Sequence, residues 1–203
     1  MSWQYRLGSI LIRFFFGVFL GFKWRGTENV PEKGGIIIAP NHRSNYDPPL
    51  IGSTVKQRAI YYFGKKSLFV NKIFGWFLGR FNVFPADTEK KNDIGSIRFS
   101  LKLLKEGKAL MIFPEGTRSK TGEFLPAHPG VGYLALKAGV PVIPVIIKGT
   151  HESMKEHFLR RKPLYVIFGK PIFPPKIPIT HKNAQEFSDK ILDKIKEMDK
   201  WKF

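Results

Sequence analysis

Six short apolar runs punctuate this chain at intervals, and they constrain its fold more than any other feature. GIIIAP (Gly35 to Pro40), AIYYF (Ala59 to Phe63), FNVF (Phe81 to Phe84), ALMIF (Ala109 to Phe113), VIPVII (Val142 to Ile147) and LYVIFG (Leu164 to Gly169) are all short and rich in β-branched or aromatic residues. Runs of that length and composition, bounded by glycine or proline, read as buried strands. The stretches between them carry helical patterns. Pro48 to Val55 can start a helix at its prolines, and Lys66 to Leu78 is apolar and aromatic. Ile97, Leu101 and Leu104 recur at helical spacing within Ile94 to Lys105, with Gly107 as a stop. Gly130 to Ala138 is a short helix ended by Gly139, and Phe187, Ile191, Ile195 and Met198 line one face of a closing helix. Strands alternating with helices predict an α/β fold with a mixed, mostly parallel sheet flanked by helices. PIFPPKIP (Pro171 to Pro178) is too rich in proline for regular structure and is expected to strap across the surface.

The first segment stands apart from this alternation. WQYRLGSILIRFFFGVFLGFKW (Trp3 to Trp24) has Arg6, Arg13 and Lys23 as its only charges. A bilayer span needs about 20 residues, but Arg13 would sit at the costly centre of it. Trp3, Tyr5 and Trp24 resemble interfacial anchors, and no small-residue cleavage site follows the apolar run. We therefore expect residues 1–24 to form a membrane-associating helix lying in the interface, and residues 25–203 to form the main domain. The other reading is an amphipathic helix buried against that domain.

Charge points the same way. The chain carries 34 Lys and Arg against 16 Asp and Glu, a formal net charge of +18, so an anionic partner is expected. Nucleic acid, an anionic membrane surface and an acidic small substrate all satisfy that requirement. Nineteen phenylalanines favour lipid, and no basic face with stacking aromatics marks a nucleic-acid reader. There is no cysteine, which excludes disulfides, thiolate metal sites and a cysteine nucleophile. HESMKEH (His151 to His157) places its histidines six apart, on different sides of a helix, and so lacks zinc-binding spacing.

Two strand ends carry chemistry. In APNHRSNYDPPL (Ala39 to Leu50), His42 and Asp47 lie about one helical turn apart just past a strand. Histidine is the side chain best suited to serve as a base near neutral pH, and a carboxylate on its second nitrogen orients it and stabilises the imidazolium. The same residues permit a purely structural reading, with Asp47 as a helix cap and Ser44 and Asp47 at capping-box spacing. In LMIFPEGTRSKTG (Leu110 to Gly122), a second strand ends in a turn carrying Glu115, Gly116, Thr117, Arg118 and Lys120. Such a turn can offer backbone N–H groups and a guanidinium fork to phosphate, or it can be an ordinary solvated loop.

Taken together, NHRSNYD and FPEGTRS resemble the first and third motif blocks of the glycerolipid acyltransferases, in particular those acting on 1-acyl-glycerol-3-phosphate. KKSLF (Lys65 to Phe69) and VPVIPV (Val140 to Val145) fit the same order, so the resemblance runs from about Trp24 to Gly149. It implies that His42 is the general base and Asp47 its orienting carboxylate. It implies that Glu115, Gly116, Thr117, Arg118 and Lys65 bind the substrate, with Arg118 and Lys65 on its phosphate, and that Pro144 is structural. The implied donor is an acyl thioester of acyl carrier protein or coenzyme A, and the implied acceptor is lysophosphatidic acid. No metal or cofactor enters that chemistry, no nucleic-acid partner is expected, and the expected location is monotopic or peripheral at the cytoplasmic face of a membrane. Two departures stand out. FPADT places Thr88 where many members have arginine, and Lys72 stands where a proline is common, leaving Arg80, Lys90 or Lys91 as candidate replacement cations. Glycerol-3-phosphate or another lysolipid as acceptor, or a non-catalytic basic binding protein, are the competing expectations.

Overall fold

A computed structural model describes residues 1–86, 93–152, 154–159 and 162–201. Thr88, Lys90 and Lys91 lie outside them. In chain order the strands are β1 (Lys23–Arg25), β2 (Ile36–Pro40), β3 (Ile60–Lys65), β4 (Val83–Ala86), β5 (Ala109–Met111), β6 (Val142–Lys148) and β7 (Tyr165–Phe168). The helices are α1 (Trp3–Leu20), α2 (Asp47–Thr54), α3 (Lys72–Arg80), α4 (Ile94–Lys105), α5 (Gly130–Ala138), α6 (Met154–Phe158) and α7 (His181–Asp199).

The strands form a single sheet in the order β1-β7-β6-β2-β5-β3-β4. The block β6-β2-β5-β3-β4 is parallel throughout, while β7 runs antiparallel to β6 and β1 parallel to β7. The expected mixed, mostly parallel sheet is therefore the one observed. Every residue of β2 is buried, because helices cover both faces of the sheet. Alternate residues of β2 serve opposite faces. Ile36 and Ile38 join a core with Leu50 and Ile51 of α2, whereas Ile37 and Ala39 join a core with α5 and α7.

Several expected elements shift for local reasons. The stretch read as one helix from Lys66 is a 3-10 turn (Lys66–Phe69) followed by α3, because Asn71 caps a new start by accepting from the amides of Ile73 and Phe74. Asn82 takes a left-handed φ of 59°, so the strand expected at Phe81 begins at Val83. No run of apolar residues marks β1, which is only Lys-Trp-Arg at the sheet edge, and none marks α6. The proline-rich strap is real: Ile172 pairs with Val142 in an antiparallel bridge.

Helix α1 is joined firmly to this sheet. Tyr5, Leu20 and the following Phe22 are buried in the α2 face of the core. The Tyr5 hydroxyl accepts from the Ile60 amide and shares a 2.9 Å hydrogen bond with the Tyr62 hydroxyl. Arg13 turns inward and donates to the Ser53 carbonyl of α2, and its burial lowers the guanidinium pKa. The opposite side of α1 is open: Trp3, Leu7, Leu11, Phe14 and Val18 are all exposed. No helix among the described residues is long and apolar enough to cross a membrane.

Candidate active site

In a parallel sheet, the carboxyl ends of the strands share one edge, and the loops leaving them gather side chains from distant parts of the chain. Here β2 delivers His42, β5 delivers Glu115 to Arg118, and β3 ends on Lys65. Because β5 lies between β2 and β3, all three loops meet on neighbouring strands.

The β2 loop is fixed first by Asn41, which is fully buried. Its side chain imitates one more rung of the sheet, donating to the Ile147 carbonyl at 3.1 Å and accepting from the Ile147 amide at 2.8 Å. His42 follows directly. Its Nδ1 donates to Oδ2 of Asp47 at 2.9 Å, and its ring stacks on Phe113 with centroids 3.7 Å apart and planes 18° apart. A carboxylate can only accept, so the proton belongs on Nδ1 and Nε2 is left able to take another. The His42 side chain is 16% exposed and that of Asp47 is fully buried.

Oδ2 of Asp47 accepts two further bonds, from the amides of Arg43 at 2.6 Å and Ser44 at 2.7 Å. These donors precede Asp47 in the chain. A helix cap would accept from residues that follow it, and Tyr46, not Asp47, occupies the cap position. The Ser44 bond is the reach-back half of a capping box, but Ser44 Oγ accepts from the Tyr46 amide and not from that of Asp47, so the box is incomplete and the carboxylate faces back onto the histidine loop.

Glu115 joins the two motif-bearing loops. One carboxylate oxygen accepts from the His42 amide at 2.9 Å and the other from the Leu125 amide at 2.8 Å, while the Ser119 amide donates to the His42 carbonyl at 2.9 Å. Glu115 is 1% exposed. The family resemblance implies a substrate-binding role for it. In the structure both its oxygens are committed to backbone amides, so it holds the His42 loop. The neighbouring Gly116, Thr117 and Arg118 are exposed, as is Lys65. Gly116 has a φ of +64°, and a Cβ there would stand 2.8 Å from the His128 ring. Arg80 stacks over Trp76 at the end of α3 that leads into β4, at the edge of the sheet opposite these loops.

The two histidines of HESMKEH diverge, as their spacing implies. His151 lies beside Glu152, whereas His157 is buried with its ring nitrogens 2.8 and 3.1 Å from the carbonyl oxygens of Gly149 and Lys162. Among the described residues, no cluster of three or more His, Asp or Glu could hold a metal.

A family model described as Acyltransferase matches residues 21–148, which contain the whole of this site. The chain belongs to the acyltransferase family. The acyltransferase is 37% identical over 152 residues to the 1-acyl-sn-glycerol-3-phosphate acyltransferase of Bacillus subtilis, covering 75% of this chain and 74% of that one. It is 32% identical to the protein of the same name from Saccharomyces cerevisiae, over 87% of this chain and 59% of that one. It spans only 45% of the chloroplastic relative from Brassica napus. Among solved structures, the 1-acyl-sn-glycerophosphate (LPA) acyltransferase PlsC from Thermotoga maritima has the same fold. The TM-score is 0.72 at 24% identity, over 98% of this chain and 80% of that one.

Two residues that shape the site had no signal of their own in the sequence. Phe113 looked like the end of a strand, and the rung made by Asn41 depends on a strand 106 residues away.

Proposed function

We propose that this acyltransferase moves a fatty acyl group from a thioester of acyl carrier protein or coenzyme A to the 2-hydroxyl of 1-acyl-glycerol-3-phosphate, giving phosphatidic acid. The observation that carries the reading is the His42–Asp47 pair, oriented with Nε2 open beside an exposed basic turn. The names of the Bacillus and yeast relatives, both 1-acyl-sn-glycerol-3-phosphate acyltransferases, support the choice of acceptor.

In this mechanism Nε2 of His42 takes the proton of the acceptor hydroxyl as its oxygen attacks the thioester carbonyl. The tetrahedral intermediate collapses with cleavage of the C–S bond, and the imidazolium returns the proton to the departing thiolate. Ester and thiol are the only products, so the atoms balance without metal or cofactor. Asp47 holds the imidazole and stabilises its charged form. Arg118 and Lys65 attract the phosphate of the acceptor, with the turn at Gly116 and Thr117 contributing backbone donors. Glu115 acts through the loop it holds.

The same reading places the site at a bilayer. Helix α1 ends beside the site, since Phe16 lies next to Tyr46 of the histidine loop with ring centroids 6.3 Å apart, while Phe14 and Val18 near the same end are exposed. A monotopic seat on the anionic cytoplasmic leaflet would supply the acceptor laterally and match the net charge of +18.

The test is product formation followed by mass spectrometry, with lysophosphatidic acid and acyl thioesters given to the parent protein and to His42→Ala. Phosphatidic acid from the parent alone supports the base and the reaction. Equal product from the variant would remove His42 from the mechanism, and product formed only from glycerol-3-phosphate would reassign the acceptor.

A further inference from the structure

Helix α3 connects the parallel strands β3 and β4, and such a connecting helix ordinarily buries an apolar face on its sheet. This one buries no residue at all. Ile73 is 81% exposed, Trp76 62%, Phe77 49% and Phe74 44%, and Val70 just before the helix is 81% exposed. A nine-residue helix containing Gly75 and Gly79 has little stability of its own in water, so an uncovered apolar side on it calls for a partner.

The surface continues onto α1. Gly8 of α1 faces the Phe81 ring, which lies 6.5 Å from the Tyr5 ring and 4.9 Å from the Phe77 ring. The two helices run in opposite directions beside the sheet. Helix α1 ends near the histidine loop, and α3 follows Lys65 through the short turn at Lys66–Phe69, so both reach the edge that holds the site.

Charge identifies the partner. Residues 1–27 contain Arg6, Arg13, Lys23 and Arg25 and no acid, and residues 60–86 contain Lys65, Lys66, Lys72 and Arg80 and no acid. A second copy of the chain, meeting this patch across a two-fold axis, would bring like charges together. An anionic bilayer offers apolar depth to the aromatics and negative headgroups to the cations around them. The pairing of Arg80 over Trp76 at 4.7 Å sets a cation and an amphipathic ring side by side, as a membrane interface favours.

We infer that α3 is a second membrane-docking helix, inserting Val70, Ile73 and Trp76 beside α1 so that the mouth of the site rests on an anionic bilayer. The inference rests on the membrane seat proposed for α1, and the experiment separates the two. The chain has no cysteine, so Ile73→Cys on α3 and Phe14→Cys on α1 can each be labelled with an environment-sensitive fluorophore. With vesicles of phosphatidylcholine and phosphatidylglycerol, both labels should shift to the blue and be quenched by lipids brominated in the acyl chain. A shift at Phe14→Cys but none at Ile73→Cys overturns the role of α3 and leaves that of α1. No shift at either overturns both. A blue shift at Ile73→Cys without vesicles, growing with protein concentration, would assign α3 to a second copy instead. As a second measure, Ile73→Ser with Trp76→Ser should lower vesicle partitioning by about tenfold or more, because two large side chains lose their apolar transfer. The unfolding midpoint should not change, since both side chains are exposed. Unchanged partitioning would overturn the inference.

Discussion

Asp47→Asn separates the electrostatic role of Asp47 from its structural one. A single oxygen, Oδ2, accepts from His42 Nδ1 and from the amides of Arg43 and Ser44. An asparagine oxygen in that position keeps all three bonds and therefore keeps the tautomer that leaves Nε2 open. Its NH2 replaces Oδ1, which is buried without a hydrogen-bond partner among the described residues. The variant thus loses the negative charge beside the imidazolium and little else. At an effective dielectric of about 20 and a charge separation of about 4 Å, that attraction is about 4 kcal/mol. A neutral acceptor retains about 1 kcal/mol of it. The remaining loss of about 3 kcal/mol corresponds to about a hundredfold in rate. Initial rates of phosphatidic acid formation, read as kcat/KM beside the parent and Asp47→Ala, provide the assay. Asp47→Ala should lose more, because the Arg43 and Ser44 amides lose their acceptor as well. If Asp47→Asn stays within about threefold of the parent while Asp47→Ala is inactive, the carboxylate only shapes the loop and the charge argument fails.

Three further outcomes follow from contacts elsewhere. Glu115→Gln sets an NH2 group against the amide of His42 or Leu125, so stability should fall by about 1–3 kcal/mol and kcat should fall with KM nearly unchanged. A raised KM at unchanged kcat and unchanged unfolding midpoint would assign Glu115 to substrate binding instead. Gly52→Ala places a Cβ 1.6 Å from the Tyr62 hydroxyl, a clash costing at least the roughly 1–3 kcal/mol typical of overpacking, and an unchanged denaturation midpoint would contradict the packing of α2 on β3. Burial, with the neighbouring Tyr5 hydroxyl, raises the Tyr62 phenol well above its ordinary 10.0. The stability it contributes is fully present below pH 10.0 and is lost as pH climbs through the folded value, so thermal midpoints should decline above pH 10.0 and Tyr62→Phe should flatten that decline.

The parts of the fold that are legible in the sequence are those whose burial is two-sided. Strand β2 reads as Ile-Ile-Ile-Ala-Pro because both faces are covered, and so short an unbroken apolar run between glycine and polar residues marks a strand of that kind. The edge strand β1 reads as Lys-Trp-Arg and could not be distinguished from a loop, since three residues of mixed polarity carry no strand pattern. The apolar pattern of α3 revealed a helix but not its exposure, because residue type does not say which apolar side chains are covered. For α1 the apolar residues divide between two sides that the sequence does not separate: Tyr5 and Leu20 enter the core while Phe14 and Val18 stay outside. At the site, His42 and Asp47 were legible because they are close in sequence. Glu115 was legible as a chemical group, but its partners were not, because 73 residues separate it from His42.

That separation bears on how mutations in the second loop are to be understood. The His42 amide and carbonyl are both bonded to the loop that follows β5, through Glu115 and Ser119. Any change that displaces this loop moves His42 as well as the turn from Gly116 to Arg118, so lost activity alone does not assign a residue to substrate. The exposed Thr117 and Arg118 are the exceptions, since neither side chain is tied to the His42 loop. Arg118→Ala should raise the KM for lysophosphatidic acid by about tenfold, the loss of one charge-assisted bond of roughly 1.5 kcal/mol or more, with kcat little changed. Equal losses in KM for a phosphate-bearing and a phosphate-free acceptor would show that Arg118 does not meet the phosphate. The same reasoning applies to α1. Removing Met1 to Lys23 also removes Tyr5 and Phe22 from the core, so the truncated chain would lose stability together with any membrane contact. Polar substitutions at Leu11 and Phe14, which face outward, isolate the contact.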